Sequence, residues 1–220
     1  MSSILYTTVN DHGYTENYVF GTVTKVFSPK EAGRPMKLVM KASVYDGKKF
    51  VKRDLQLNIW PPKENAKYDA IGRIKRMRLN KAGANLVAIV GDLKPYTPQK
   101  GSELLEASVS FFNYDMARKF EENGKDIRVV AGRIGGIRTI KNSDDMRVSV
   151  AVSTYDKSTN EQDTDWYDVF VPAKLFAPMS KAGIDKGDSF AVVGEGKVGD
   201  KGRLSIQAKR IDFAKKPSND

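Results

Sequence analysis

The chain of 220 residues contains an internal repeat, and this repeat constrains the fold more than any other feature. The segment MKLVMKASVYD at 36–46 aligns without a gap on MRVSVAVSTYD at 146–156. KAG at 81–83 recurs at 181–183, and LVAIVGD at 86–92 corresponds to FAVVGEG at 190–196. The matches keep the same order in both halves. The sequence therefore predicts two copies of one domain.

Each half alternates β-branched and aromatic runs with clusters of Gly, Asp, Asn and Lys, a pattern typical of short strands separated by turns. The predicted strands lie near 18–27, 36–45, 50–60, 86–94 and 104–113, and near 127–137, 146–155, 165–171, 189–197 and 203–213. A helical stretch falls between the third and fourth strands of each half, at 70–83 and 172–184. A glycine within YVFGTV (18–23) and within VVAGRI (129–134) marks a sharp bend in each first strand.

Five strands with a helix between the third and fourth form the OB arrangement, a small Greek-key barrel. The predicted fold class is therefore all-β with short helices, as two tandem five-stranded OB-fold barrels. The predicted organisation is an N-terminal extension (1–17), a first barrel (18–114), a helical linker (115–126), a second barrel (127–214) and a short C-terminal tail (215–220).

The composition disfavours enzymatic and metal-binding functions. The chain contains no Cys, and its one His, His12, lies in a polar N-terminal stretch, so we predict neither catalytic residues nor a metal site. The glycines of GEGKVGDKG (194–202) lie between two predicted strands and are interpreted as a hairpin turn, so no nucleotide cofactor is expected. The absence of a long apolar run and of a signal-peptide pattern favours the cytoplasm, of the host if the gene is phage- or plasmid-borne.

The net charge of +10 favours a polyanionic partner. Residues 1–114 contain 18 Lys and Arg against 10 Asp and Glu, a balance of +8, whereas residues 115–220 contain 19 against 17, a balance of +2. The first half therefore supplies most of the attraction.

Strand alternation predicts which side chains face outward once the apolar set is assigned to the core. Leu38 and Met40 point inward, as do Val148 and Val150 in the second copy, so the residues between them are exposed. Exposed aromatics on a polar sheet face can stack on nucleobases. The predicted stacking residues are Trp60, Trp166, Tyr155, Tyr45, Phe50 and Phe170. The alternative is that these aromatics cover the barrel rim or a subunit contact.

Basic residues on the same faces are predicted to contact phosphate groups. They are Lys37, Lys41, Lys52 and Arg147, together with a cluster in the first helical stretch: Arg73, Lys75, Arg76 and Arg78. The alternative for the helical cluster is a solvated helix face.

The second half resembles the bacterial and phage-type single-stranded DNA-binding protein family over most of 127–213. The resemblance rests on VAGRIGG (130–136), MRVSVAVS (146–153), TDWYDVFVPAKL (164–175) and KGDSFAVVGEGKV (186–198). It implies sequence-tolerant binding of single-stranded DNA in replication or recombination, and a homodimer, because four barrels are the family's common working unit.

The sequence departs from the family pattern at two places. The stacking aromatic that commonly ends the family's third strand corresponds to Trp60 in the first half but to Pro172 in the second. The acidic, hydrophobic tip that recruits partner enzymes is not matched by DFAKKPSND at 212–220, so recruitment by that route is not expected. Two alternatives stay open: a single-stranded RNA ligand, and a structural barrel that uses its aromatics for assembly.

Overall fold

The computed structural model describes residues 5–29, 31, 33–45, 50–62, 70–76, 83–98, 103–156, 161–198 and 204–216. The chain separates into two compact units, Met1–Asn113 and Tyr114–Asp220. Among the described residues, no helix has both the length and the apolar character needed to cross a bilayer.

The first unit is built almost entirely of strands. Its elements are β1 (Tyr6–Val9), β2 (Thr15–Phe27), β3 (Met36–Tyr45), β4 (Phe50–Ile59), α1 (Ala70–Arg76), β5 (Asn85–Val90), β6 (Lys94–Tyr96) and β7 (Leu104–Asn113). The strands β2, β3, β4, β7 and β5 follow one another by hydrogen bonding, and β5 pairs again with β2, so the sheet closes. The pairing of β4 with β7 is parallel and the other pairings are antiparallel.

The second unit repeats this topology. Its elements are β8 (Met116–Glu122), β9 (Lys125–Thr139), β10 (Met146–Asp156), β11 (Glu161–Val171), α2 (Ala173–Lys181), β12 (Ser189–Val198) and β13 (Leu204–Ala214). The ring runs β9, β10, β11, β13, β12 and back to β9, with β11 parallel to β13. Along the chain, α1 lies between β4 and β5, and α2 lies between β11 and β12. The predicted fold class, two tandem OB-type β-barrels, is confirmed.

Each barrel encloses its own apolar core, and strand alternation selects its members. In the first unit Leu38, Met40, Leu55, Leu57 and Ile59 are almost completely buried. In the second unit Val148, Val150, Val152, Val169 and Val171, on the corresponding two strands, are buried to the same degree. The inward phase predicted for the second and third strands is therefore correct at these positions.

Gly21 and Gly132 lie where the first strand of each barrel passes close to the backbone of the second. A Cβ at Gly21 would lie 2.3 Å from the carbonyl oxygen of Lys41, and one at Gly132 would lie 2.1 Å from that of Ala151. The paired glycines of YVFGTV and VVAGRI therefore allow a close backbone approach at equivalent points of the two barrels.

The predicted helical linker over 115–126 is wrong. Residues Met116–Glu122 form β8, which pairs with β9 through a tight turn in which Asn123 and Gly124 both have positive φ. An Asn-Gly pair favours this two-residue hairpin turn. Helix-forming residues in MARKFEE suggested a helix, but pairing with the edge of β9 satisfies the backbone of this segment instead.

The N-terminal region is also more structured than the predicted extension over 1–17. Residues Tyr6–Val9 form β1, which pairs with the first residues of β2. The turn between them is held by the side chain of Asn10, whose Oδ1 accepts hydrogen bonds from the backbone N–H groups of His12 and Tyr14, both at 3.0 Å. His12 is an exposed turn residue.

The segment after β13 is attached to the second barrel through Asp188. The backbone N–H of Lys216 donates to Asp188 Oδ1 at 2.8 Å, and Lys215 Nζ lies 3.2 Å from Oδ2. Oδ2 also accepts from the backbone N–H of Asp185 at 3.0 Å. The start of the predicted tail is therefore anchored to the turn that precedes β12.

Candidate nucleic-acid interface

A row of side chains crosses the outer face of the first barrel. Phe27 on β2 lies opposite Lys37 on β3, Lys37 lies opposite Asn58 on β4, and Asn58 lies opposite Ser108 on β7. Residues opposite one another on neighbouring strands project from the same face. The row therefore places an aromatic side chain, a cation and two hydrogen-bonding groups side by side, away from the core.

Trp60 extends this row just beyond the end of β4. Its side chain is 52% exposed, and its indole N–H donates to Ser108 Oγ at 3.2 Å. Trp60, Lys37 and Phe27 line a groove of about 360 Å³. The remaining lining residues come from the β2–β3 connection and from β4: Ser28, Pro29, Arg34, Pro35 and Asn58.

Three of the lysines predicted to contact phosphate lie on the outer face of the first barrel, and phosphate binding by them stays a prediction. Lys41 lies opposite Asp54, Lys52 lies opposite Ser43, and both lysines are exposed. Lys37 is partly buried, and its ammonium stands 5.8 Å from the ring centroid of Tyr96, a cation–π geometry. Tyr96 belongs to β6, so this short strand helps to orient Lys37.

A polar layer lies next to the row. Gln56 Nε2 donates to Glu106 Oε2 at 3.2 Å, and Asn58 Nδ2 donates to the same oxygen at 3.4 Å. Gln56 and Glu106 belong to a second row of residues across the strands. Lys25, which lies opposite Val39, and Lys94, which lies opposite Glu106, stand at its two ends. The sequence interpretation missed Lys25 and Phe27, because a bulge at Thr24 changes the phase of β2 before them.

The basic helical cluster is only partly described. The Arg73 guanidinium lies 5.3 Å from the ring centroid of Phe111 on β7, so Arg73 packs against its own barrel. Lys75 and Arg76 belong to α1, but their side chains lie outside the described residues, as does Arg78. Phosphate binding by this cluster stays a prediction.

The second barrel presents a corresponding row that contains more arginine. Arg138 on β9 lies opposite Arg147 on β10, Arg147 lies opposite Phe170 on β11, and Phe170 lies opposite Gln207 on β13. Phe170 is partly buried in this row.

Arg147 forms an ion pair with Asp168. Its Nε donates to Asp168 Oδ1 at 3.0 Å and its Nη2 donates to Asp168 Oδ2, a bidentate geometry. The hydrogen-bonded carboxylate of Asp168 raises the pKa of the Arg147 guanidinium above its ordinary value. Because Asp168 neutralises this charge locally, Arg147 attracts phosphate less strongly than its position alone suggests.

Trp166 stands in the middle of the second barrel's outer face and is 63% exposed. It lies opposite Ala151, which in turn lies opposite Arg133. The six-membered ring of its indole fits over Gly135 of β9, where a Cβ would lie 2.2 Å from Cζ3. A small residue opposite the ring and a glycine beneath it leave space for the indole on the sheet surface.

A bulge in β9 brings Arg133 and Arg138 to the same face. Five positions separate them, so strict alternation would place them on opposite faces. The register between β9 and β10 shifts at Gly135, however, and both arginines fall in rows on the outer face, opposite Ala151 and Arg147. The motif RIGGIR contained the signal, since two glycines within a strand indicate a bulge.

The two tryptophans occupy different positions on their barrels. Lys37 lies opposite Asn58 and Arg147 lies opposite Phe170, so Asn58 and Phe170 are equivalent. Counting from this pair, Trp60 corresponds to Pro172, and Trp166 corresponds to Asp54. The exposed indole is therefore at the end of the third strand in the first barrel and within the third strand in the second.

Three predicted stacking residues have side chains outside the described part of the structure. Tyr45 on β3 lies opposite Phe50 on β4, and Tyr155 on β10 lies opposite Gln162 on β11. Tyr45 and Phe50 therefore lie on the second and third strands of the first barrel, and Tyr155 lies on the second strand of the second barrel. Stacking by Tyr45, Phe50 and Tyr155 stays a prediction.

No protein-family model matches the chain. No curated protein matches it either. Among solved structures, wild-type single-stranded DNA-binding protein from Thermus aquaticus matches over 93% of this chain and 95% of that chain, with 13% sequence identity and a TM-score of 0.28. The assignment of two OB-type barrels rests on the strand pairing described above.

Proposed function

We propose that the chain binds unpaired DNA across the outer faces of its two barrels, in a sequence-tolerant manner. The observation that carries this proposal is the groove of the first barrel, in which Trp60 and Phe27 stand beside Lys37 and Arg34. Trp60 and Phe27 remain 52% and 49% exposed. Aromatic faces flanked by cations are the surface that an unpaired strand requires, because bases stack and phosphates need counter-charge.

Sequence tolerance follows from the chemistry of the two faces. Every base offers a π-face to a tryptophan, and lysine or arginine neutralises phosphate whatever the base. The amides of Gln56 and Asn58 both donate to Glu106 in the first barrel, so they are already engaged within the protein. Stacking and charge therefore dominate recognition.

In this proposal the protein coats unpaired DNA in the cytoplasm and protects it during replication or recombination. It carries out no chemical step. The resemblance of residues 127–213 to the single-stranded DNA-binding protein family supports the same role.

The experiment is a titration of the full chain with oligo(dT) of graded length. Quenching of Trp60 and Trp166 fluorescence is the signal that measures binding. We expect quenching that saturates, an affinity that rises with length until the site is filled, and much weaker binding of a duplex of equal length. The duplex is the matched control, because it offers phosphates without unstacked bases.

Three results would overturn the proposal. Equal binding of duplex and oligo(dT) would reduce the interaction to charge alone. Tighter binding of oligo(rU) than of oligo(dT) would make RNA the ligand. Concentration-dependent assembly with no quenching by either oligonucleotide would assign the exposed aromatics to contacts between protein chains.

A further inference from the structure

The contact between Trp166 and Gly135 is specific to one corner of the indole. A Cβ on residue 135 would lie 2.2 Å from Cζ3, 2.8 Å from Cη2 and 3.4 Å from Cε3. The ring thus occupies the space in which any other residue would carry its side chain. With this corner inserted, 63% of Trp166 remains exposed to solvent.

Gly135 is required at this position because it has no side chain, and not because of its backbone conformation. Neither Gly135 nor Gly136 has a positive φ, so an alanine could adopt the backbone conformation at either position. The two glycines differ in what lies above them, because a Cβ at Gly136 would meet nothing within 4 Å. The neighbouring pair therefore separates the effect of an added methyl group from the effect of displacing the indole.

We propose that Gly135 is a positioning residue for single-strand binding: its notch in the bulge of β9 holds the indole of Trp166 in the orientation that stacks on an unpaired base. This inference rests on the proposed function. The notch limits the rotation of an exposed side chain before the ligand arrives. Binding then loses less conformational entropy, which is the usual advantage of a preorganised contact.

The notch also accounts for the position of Trp166 within the strand. Asp54, at the equivalent place in the first barrel, is a small side chain opposite Lys41. The indole of Trp166 reaches from β11 to Gly135 on β9, so a residue with a Cβ at 135 would collide with it. A glycine at the bulge and Ala151 on the strand between them remove this obstacle.

The test compares Gly135→Ala with Gly136→Ala in a full chain that carries Trp60→Phe, so that Trp166 is its one tryptophan. The first measurement is Trp166 emission and its quenching by acrylamide without DNA. We expect Gly135→Ala to change both and Gly136→Ala to leave both unchanged. The second measurement is the affinity for labelled oligo(dT), which Gly135→Ala should lower about five- to tenfold, part of the contribution of one stacked base.

A Trp166→Ala background makes the test independent of any change in stability. If Gly135 acts through the indole, Gly135→Ala should have no further effect on affinity once the ring is removed. Should Gly135→Ala lower the melting temperature, Trp166→Ala should restore it, because the collision is gone.

Each remaining outcome counts against the proposal. Unchanged emission and affinity in Gly135→Ala, an equal loss in Gly136→Ala, or a loss that persists without the indole would show that the notch does not position Trp166. If the Trp60→Phe parent does not bind oligo(dT) while the chain with both tryptophans does, the role of Trp166 fails and the proposed function stands. If neither chain binds, the proposed function fails.

Discussion

Trp60 and Trp166 are exposed for different local reasons. Trp60 follows the last residue of β4, and a hydrogen bond from its indole to Ser108 orients it. Trp166 lies within β11, and its indole fits over Gly135 on β9, the strand beyond β10. Large exposed indoles lose little apolar burial when they are truncated, so stability and binding can be separated by mutation at both sites.

Replacing Trp60 by Ala should weaken oligo(dT) binding by about 1–3 kcal/mol, the contribution of one stacked base. The melting temperature should change little, because half of the side chain is in solvent. Fluorescence anisotropy of labelled oligo(dT) measures the affinity, and circular dichroism measures the melt. Trp60→Phe is the control and should keep most of the affinity; an unfolded Trp60→Ala chain would show that the indole belongs to the core.

The ion pair of Arg147 with Asp168 predicts a gain in binding. Asp168→Asn removes the carboxylate charge but keeps the size of the side chain, so the guanidinium becomes available to phosphate. We expect tighter binding of oligo(dT), and a log–log salt slope steeper by about 0.7, the value for one additional phosphate contact on a single strand.

The control for Asp168→Asn is Glu121→Gln, which removes one negative charge from β8, where Glu121 lies opposite Asp126. If the gain comes from net charge alone, both variants should bind more tightly by the same amount. Weaker binding by Asp168→Asn would instead show that the carboxylate holds Arg147 in its binding geometry.

At the scale of elements, the two barrels are extended by different additions. β1 pairs with β2 in the first unit, and β8 pairs with β9 in the second. The end of β13 is secured differently, since Lys215 and Lys216 contact Asp188 at the turn before β12. A carboxylate thus connects the last strand to the turn on which the fourth strand of the barrel begins.

The stability of the second barrel should depend on pH through the carboxylate of Asp188. Burial raises the pKa of Asp188, but the backbone N–H groups of Lys216 and Asp185 and the ammonium of Lys215 outweigh burial and hold the pKa below its ordinary value. A carboxylate with a lowered pKa stabilises the fold above about pH 4, and this stabilisation is lost as the pH falls through the folded-state pKa.

Asp188→Asn should therefore destabilise the chain by about 1–3 kcal/mol at pH 7, the cost of removing a charged hydrogen-bond acceptor. The difference from the parent should shrink as the pH approaches 3. Urea unfolding between pH 2.5 and 7 measures both effects. A constant difference across this range would show that the charge of Asp188 is not involved.

At the scale of the whole molecule, charge and site chemistry point to an unequal division of binding. Residues 1–114 have a balance of +8 and residues 115–220 a balance of +2. The outer face of the first barrel presents Lys37, Lys41 and Lys52, whereas Arg147 of the second is paired with Asp168. The first barrel should therefore contribute more of the electrostatic affinity.

Two triple variants of the full chain test this division while removing equal charge. Lys37, Lys41 and Lys52 are changed to Gln in one, and Arg133, Arg138 and Arg147 in the other. The lysine variant should lose more affinity and more of its salt slope, because that slope counts neutralised phosphates. Titration of oligo(dT) at several salt concentrations measures both quantities, and a larger loss in the arginine variant would reverse the assignment.

The amino-acid sequence by itself determined the repeated order of strands, the helix between the third and fourth strands, and the inward phase of Leu38, Met40, Val148 and Val150. These features follow from the repeat and from the local alternation of apolar and polar residues. The side chains of a half-buried strand point alternately to the core and to solvent, whichever strands it pairs with. The exposure of Trp60 and Trp166 followed from the same alternation.

Only the tertiary structure decided which side chains stand together on the outer faces. The bulge at Gly135 brings Arg133 and Arg138 to one face, and strand pairing places Asp168 beside Arg147 and turns residues Met116–Glu122 into β8. Each of these outcomes depends on the register between strands that are distant in sequence. A one-residue shift in that register moves side chains to the opposite face, and no local period in the sequence specifies it.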